Sequence, residues 1–341
     1  MLFGYLAAVV TGFLLTAIPN WTGRLPVQGL PLFALVLIWF AGRLAVFFSA
    51  EIGWAAATAI DCAFLAAVAL AAGTEIAAGS NWRNLKVLAP VSVLLAANVL
   101  FHAEAHYGGT SDISRRLGLG AAIVLIMIIG GRIIPSFTRN WLVRENPGRL
   151  PAPFSRSDAA AIVFSAAALA GWVFLPDRAE TGAMLLAAAA INLLRQLRWA
   201  GDRAVRDPLV LILHIAYIFV PSGLALAGLA ILFPETIPSA AGIHAFGVGA
   251  VGCMTLAVMT RATLGHTGRE LRADAGTCAI YAAIVGAALL RMASAFVPAE
   301  AMLLHASAIL WAAAFLGYVA LFGGMLMRPK LRARQRNASP S

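Results

Sequence analysis

The sequence predicts an all-α, polytopic membrane protein, and two observations carry that prediction. Of its 341 residues, 61% are hydrophobic and only 12% are charged, a composition that soluble domains of this length do not show. The hydrophobic residues also gather in runs about as long as the ~20-residue helix that crosses a bilayer. We therefore predict a single transmembrane helical domain over 1–327, followed by a basic cytoplasmic tail, 328–341, that we expect to be disordered.

Eleven apolar runs define the predicted spans. They cover 2–19, 31–50, 54–78, 87–102, 117–134, 159–175, 181–197, 208–233, 241–260, 275–297 and 301–327. Pro19 and Pro135 are expected to end the first and fifth spans, because proline lacks the N–H that a helix needs. The only sizeable connection is 135–158, which is rich in Pro and Arg.

The basic residues behind the net charge of +10 are distributed as membrane topology requires and do not form a nucleic-acid-binding patch. With the C-terminus in the cytoplasm, inner loops and span ends hold 20 basic residues, whereas outer loops hold only three. The positive-inside rule therefore places the C-terminus inside and, with eleven spans, Met1 on the periplasmic side. Because the chain then begins within a span, we expect one further helix upstream of Met1.

The six histidines form two groups on this topology. His102, His106, His244 and His305 lie towards the outer face, and His214 and His266 towards the inner face. Imidazole binds haem iron, copper and zinc, but a buried histidine also serves as an interhelical hydrogen-bonding group. His244 and His266 cannot share a metal, because a continuous helix would separate them by roughly 33 Å at about 1.5 Å per residue. His106 is expected to be a loop residue.

Other polar residues within the spans also need partners. Arg43 and Asp61 are predicted to pair between adjacent helices, with a contact to an anionic group as the alternative. Arg291 either extends to the interface or holds a propionate beside His244 and His305. Asn98, Asn192 and the three scattered cysteines, Cys62, Cys253 and Cys278, are interpreted as packing residues between helices.

Three segments that close spans on the inner side have a similar composition. Residues 14–24, 130–141 and 259–269 each carry Thr, Gly and Arg beside Trp or His. This repetition predicts a shared site on the cytoplasmic side. The chain is expected to turn back near Gly265, which would bring His266 towards His214. No P-loop, GxSxG, HExxH or dinucleotide motif is present in the sequence.

These segments resemble the NnrS family. The matching motifs are LLTAIPNWTGR (14–24), GGRIIPSFTRNW (130–141) and MTRATLGHTGR (259–269), with LHIAY (213–217) and IHAF (243–246) in the expected order. The resemblance implies a twelve-helix bacterial inner-membrane protein that binds b-type haem and copper and serves in denitrification or nitric oxide stress. Family members also carry a helix and a Trp-His-x-His-Glu segment before the motif at 1–5, so a late start codon or a truncation is expected here.

The leading hypothesis is a haem- and copper-binding membrane protein that binds nitric oxide or handles it by redox chemistry. His244 and His305, with His102 as a further candidate, are assigned to an outer metal site. His214 and His266 are assigned to an inner cofactor site, and Arg261, Arg269 and Arg291 to propionates. The alternative is a metal-free secondary transporter or channel for a small solute, in which Arg43, Asp61 and the histidines line the path.

Overall fold

The computed structural model describes residues 2–80, 82 and 85–330. Met1 and most of the predicted tail, 331–341, lie outside the described residues. Within them the chain contains helices and no strand, which confirms the all-α prediction. Ten of the described helices are long and apolar enough to cross a membrane, so the polytopic class is confirmed as well.

The helices follow one another with short connections. In chain order they are π1 (Leu2–Leu6), α1 (Ala7–Thr22), α2 (Leu30–Phe47), α3 (Ser49–Ile52), α4 (Trp54–Ala78), α5 (Leu85–Tyr107), α6 (Asp112–Glu145), α7 (Arg156–Phe174), α8 (Ala179–Leu197), a 3₁₀ turn (Gly201–Arg203), α9 (Pro208–Leu232), α10 (Ser239–His244), π2 (Ala245–Cys253), α11 (Met254–His266), α12 (Ala275–Phe296) and α13 (Ala301–Leu326). The π-helix π1 runs directly into α1, and π2 runs directly into α11. Each pair is part of one continuous membrane-spanning helix.

Ten predicted spans correspond to the ten candidate membrane helices. The run predicted at 181–197 also forms a helix, α8, but this helix is not among the ten. Its second half carries Asn192, Arg195 and Gln196, which lower its mean hydropathy. These three side chains make hydrogen bonds within the protein, so the polarity of α8 serves packing.

The two prolines do not end their helices, contrary to prediction. α1 continues through Pro19 to Thr22 and ends where Gly23 adopts a φ of 71°, with its N–H donating to Pro19 O at 2.9 Å. α6 continues through Pro135 to Glu145, so the connection predicted at 135–158 shrinks to 146–155. One proline removes one helical hydrogen bond, and packed membrane helices tolerate that loss.

The chain forms two compact units. The first comprises the described residues of Met1–Ile129 and Ala159–Leu185, and the second those of Gly130–Asp158 and Leu186–Ser341. In the first unit a buried core includes Leu15, Phe64 and Leu94. In the second, α9 packs against α10, π2 and α11, and α12 packs against π2 and α13.

Close packing in the second unit depends on glycines that face aromatic rings. Gly249 lies against the Phe219 ring, and Gly223 against the Phe246 ring. A Cβ atom at either glycine would overlap the ring that it faces. These contacts bring π2 close to α9, as small residues do in membrane helix pairs generally.

Candidate functional site

His214 is buried in the second unit, with 5% of its surface exposed. Its Nε2 is 2.9 Å from Thr138 Oγ1 in α6, and its carbonyl accepts a hydrogen bond of 2.7 Å from Gln196 Nε2 in α8. Gly201 packs against the imidazole so closely that a Cβ there would overlap the ring near Nδ1. Three elements therefore fix the position of His214.

The direction of the Thr138 hydroxyl and the tautomer of His214 are coupled through their hydrogen bond. The Thr138 hydroxyl donates to Ile134 O at 2.8 Å, and a hydroxyl has only one proton to donate. When that proton is on Ile134 O, the hydroxyl accepts from His214 Nε2–H; when it turns to His214 Nε2, the imidazole carries its proton on Nδ1. Sequence reasoning did not identify Thr138, Gln196 or Gly201 as partners of His214, although Thr138 lies within the motif at 130–141.

Two arginines with incompletely satisfied hydrogen-bond donors lie close in sequence: Arg261 within α11 and Arg269 just after that helix. The Arg261 guanidinium lies 4.0 Å from the centroid of the Phe137 ring. The Nη1 atoms of Arg261 and Arg269 are both buried and have no hydrogen-bond partner among the described residues. Phe137 belongs to the motif at 130–141 and Arg261 to the motif at 259–269, so two of the three similar segments meet.

Asp207 supplies the negative charge that interacts with Arg261. It caps α9, where its carboxylate accepts a hydrogen bond of 2.9 Å from Leu209 N–H. Burial raises the pKa of Asp207 above its ordinary value, although the Leu209 N–H and the Arg261 guanidinium oppose that shift. Arg261 therefore interacts electrostatically with a carboxylate, while its Nη1 has no hydrogen-bond partner among the described residues.

The chain reverses direction directly after α11. The helix runs past Arg261 to His266, and the turn follows at Thr267 and Gly268, where Gly268 has a φ of 74°. Arg269 N–H donates to Leu264 O at 2.9 Å and closes the turn. His266 is exposed and makes no hydrogen bond or ring contact with a described residue, so no contact joins it to His214.

Two threonine–tyrosine pairs attach α11 to its neighbours. Thr260 Oγ1 lies 2.5 Å from Tyr281 Oη in α12, and Thr263 Oγ1 lies 2.9 Å from Tyr318 Oη in α13. Both threonines lie within one turn of Arg261, so the pairs fix the orientation of the helix that carries it. Sequence reasoning missed both tyrosines, because a tyrosine in an apolar run carries no sign of its partner.

His244 and Arg291 lie within electrostatic range of each other in the second unit. His244 is the last residue of α10 and is half-buried, and it interacts electrostatically with Arg291 of α12. His305 is exposed on α13. Two residues later the Ser307 hydroxyl donates to Ala287 O in α12 at 2.8 Å, so His305 points away from α12 by the helical rotation. The structure does not bring His305 against His244.

His102 belongs to a polar network in the first unit. Asp61 is 4% exposed, and it forms an ion pair with Arg43. Asn98 Nδ2 lies 3.1 Å from Asp61 Oδ2, and His102 Nε2 lies 3.0 Å from the same oxygen. The predicted Arg43–Asp61 pair is therefore confirmed, as is the interhelical role of Asn98.

The prediction that His106 lies in a loop is wrong. α5 extends to Tyr107, and the His106 ring stacks on Trp54 with centroids 4.4 Å apart. The stacking of His106 on Trp54 of α4 stabilises the last helical turn of α5. His106 is nonetheless exposed and lies outside the Asp61 network.

The described residues contain no group of three or more His, Cys, Asp or Glu side chains that could hold a metal ion. Cys62 and Cys253 are buried, as expected of small apolar residues, whereas Cys278 is exposed. The candidate sites therefore differ in the kind of group that their side chains could hold. The unpaired Arg261 and Arg269 atoms suit an anionic group, and His102 and His244 each offer a single imidazole.

A family model described as NnrS protein matches residues 1–330. No curated protein and no solved structure matches the chain.

Proposed function

The chain belongs to the NnrS family, and from this premise we propose a haem- and copper-binding protein of the bacterial inner membrane. It would act in the nitric oxide response or in denitrification, by binding nitric oxide or handling it through redox chemistry at the metal centres. The apolar helices support the membrane part. Family membership supports the connection with nitric oxide, and the cofactors are our proposal.

The observation that carries the haem proposal is the pair of unpaired guanidinium atoms at the end of α11. A buried donor without an acceptor costs about 1–3 kcal/mol, so an anionic group that accepts from Arg261 and Arg269 Nη1 would stabilise this end of the helix. Arginine is suited to carboxylates because its planar fork matches their geometry. A haem propionate is a carboxylate of this kind.

His266 is the inner histidine best placed to bind an iron. It lies between Arg261 and Arg269 in the chain, and its imidazole is exposed and has no protein partner among the described residues. His214 is the second inner histidine of the proposal. Because its Nε2 is hydrogen-bonded to Thr138 Oγ1, any ligation through Nε2 would have to replace that hydrogen bond. Haem, when bound, supplies an iron to which nitric oxide can bind.

The proposed copper ligands lie elsewhere in the chain. His244, accompanied by Arg291, and His305 are the candidates in the second unit, and His102 is the candidate in the first. Arg291 would hold an anionic group next to His244, since its charge already acts on that imidazole. Imidazole is a good ligand for copper, which supports this assignment.

The visible absorbance spectrum of the purified protein tests the proposal. After expression with sufficient haem, we expect a Soret band that shifts when nitric oxide is added. His266→Ala, or Arg261→Met with Arg269→Met, should lower the haem content. His106→Ala is the matched control, because His106 is also exposed but lies on α5 in the first unit. A colourless, metal-free wild-type protein would refute the proposal.

A metal-free transporter is the second candidate function. The pair of half-buried Arg43 and buried Asp61 favours it, because ionisable residues within a membrane often mark a solute path. If this candidate function is correct, colourless protein reconstituted into vesicles will carry a solute across the membrane. The Asp61→Asn variant will then lose that flux. Metal analysis and transport measurements on the same preparation distinguish the two functions.

A further inference from the structure

Arg144 lies on the same face of α6 as Phe137, the ring against which Arg261 packs. The two residues of α6 are seven positions apart, which is close to two full turns of an α-helix. The Arg261 guanidinium lies 4.0 Å from the centroid of the Phe137 ring, and the positive charge of Arg144 acts on it electrostatically. The end of α6 thus brings a further guanidinium into range of Arg261.

Both arginines have N–H donors for which no described residue supplies an acceptor. Arg144 Nε donates to Asn140 O at 3.2 Å, one turn back along α6, whereas its two Nη atoms make no hydrogen bond with a described residue. Arg144 is exposed, so these donors are open to a ligand. Arg261 Nη1 is buried and likewise has no partner among the described residues. Each side chain can therefore donate to an acceptor that comes from outside the described part of the chain.

Asp207 is the carboxylate that the two arginines share. Arg261 and Arg144 both act on it electrostatically, but it forms no direct ion pair with either one in the described part of the chain. Its carboxylate accepts instead from Leu209 N–H at 2.9 Å. The phenol of Tyr281, which also acts on Arg261, is uncharged at neutral pH. One carboxylate thus faces two guanidinium groups, and this group of side chains keeps one positive charge in excess.

We propose that Arg144 and Arg261 form an oxyanion-binding site between α6 and α11, in which Asp207 competes with the ligand. Two guanidinium groups in range repel each other, and an anion bound between them offsets that repulsion. The ligand chemistry is a carboxylate or a phosphate, because the guanidinium fork matches both. The inference rests on the proposed function, in which this anion is a haem propionate. It adds Arg144 as a binding residue and Asp207 as the group that limits the affinity.

Binding titrations of the full chain, purified after expression without added haem, test this proposal. The probes are haem, haem dimethyl ester, in which both propionates are uncharged, and inorganic phosphate as a probe without a porphyrin. The variants are Arg144→Gln and Asp207→Asn, the latter keeping an oxygen that can cap α9. Arg139→Gln is the matched control. Arg139 is also exposed and lies on α6, but the helical rotation turns it about 140° away from Arg144.

We expect the wild-type protein to bind haem more tightly than the dimethyl ester. Arg144→Gln should weaken haem binding about tenfold, the effect of losing one hydrogen bond to a charged group, and leave ester binding unchanged. Asp207→Asn should strengthen haem binding, because it removes the competing charge. A variant that merely damaged the fold would lose affinity instead. Arg139→Gln should change neither affinity, and a monodisperse elution profile shows that each variant is folded.

Two results would overturn the inference: an Arg144→Gln protein whose affinities for haem and phosphate equal those of the control, or a folded Asp207→Asn protein that binds both more weakly. Failure of the proposed function looks different, because the wild type then takes up no haem. In that case the phosphate titration decides. Phosphate binding that Arg144→Gln weakens and Asp207→Asn strengthens supports the anion site and assigns it a phosphate-bearing ligand, whereas absence of phosphate binding refutes the site as well.

Discussion

At the scale of single residues, the Arg43–Asp61 pair shows which contacts a sequence can reveal. Two opposite charges in neighbouring apolar runs have few alternatives to pairing, because hydrocarbon does not solvate either one. The contact of His214 with Thr138 could not be foreseen in this way. A threonine in a helix can satisfy its hydroxyl on its own backbone, and Thr138 also does so at Ile134.

Removing one member of the Arg43–Asp61 pair should be far more harmful than removing both. We expect Asp61→Ala to destabilise the protein by about 3–5 kcal/mol, because it leaves the half-buried Arg43 guanidinium, within an apolar helix, without its counter-ion. Arg43→Met combined with Asp61→Leu should cost much less, since neither charge then needs desolvation. Thermal unfolding in detergent measures both. Equal stability of the single and double variants would contradict the prediction.

Gly201 should be intolerant of a side chain because of its contact with His214. In Gly201→Ala the new methyl group would overlap the imidazole and push Nε2 away from Thr138. We expect a loss of stability of about 1–3 kcal/mol, typical of overpacking. Gly247→Ala is the matched control, because a Cβ atom there meets nothing within 4 Å. The same small effect in both variants would show that the imidazole can move freely.

At the scale of helices, the predicted centres of the spans were more accurate than their ends. α6 illustrates the reason. Its apolar run stops near residue 134, but the helix continues through Pro135 for about 15 Å at the usual rise and ends at Glu145. Hydropathy identifies the part of a helix that lies in hydrocarbon, whereas hydrogen bonds and packing decide where the helix itself ends.

The first turn of α12 provides a pH-dependent test of a helix cap. Asp274 accepts hydrogen bonds of 2.8 Å and 2.7 Å from the N–H and the hydroxyl of Thr277. The hydrogen bond from Thr277 N–H is the main reason that the pKa of the Asp274 carboxyl lies below its ordinary value. At neutral pH, Asp274→Ala should therefore lower stability by about 1 kcal/mol, as loss of an N-cap does.

The sign of the pH effect follows from that lowered pKa. The contribution of the charged cap is complete above the unfolded-state value of about 3.9 and disappears as the pH falls through the lower folded-state value. The stability difference between wild type and Asp274→Ala should shrink across that acidic range. Asp274→Asn keeps a capping oxygen without the charge, so its contribution should not vary there. Melting temperatures across this pH range measure the effect, and a constant difference would refute it.

At the scale of the whole molecule, composition predicted the class of fold and most of its spans. The division into two compact units was not predictable, because no long polar linker separates them and both are rich in apolar residues. The sites were predictable only in part for a related reason. Motifs located Arg261 and Arg269, but the burial of their unpaired Nη1 atoms depends on contacts that only the folded chain makes.

The orientation in the membrane is a further prediction at this scale, and it rests on the distribution of basic residues. With 20 of them assigned to one side and three to the other, we expect the C-terminus in the cytoplasm. In a chain whose three cysteines are replaced by alanine, Thr110→Cys should react with a membrane-impermeant thiol reagent added to intact cells. Pro153→Cys should react only after the cells are opened. The reverse pattern would invert the assignment.

The π-helix between His244 and α11 affects how well this membrane-spanning helix would tolerate the loss of a residue. A turn closed by i→i+5 hydrogen bonds takes up one more residue than an α-helical turn, so Ala245–Cys253 holds surplus chain in the middle of the span. Deleting one residue there would let the segment tighten into α-helix, with the deletion absorbed locally. We therefore expect a one-residue deletion in this stretch to displace His244 and Arg261, on either side, less than a deletion elsewhere in the same span.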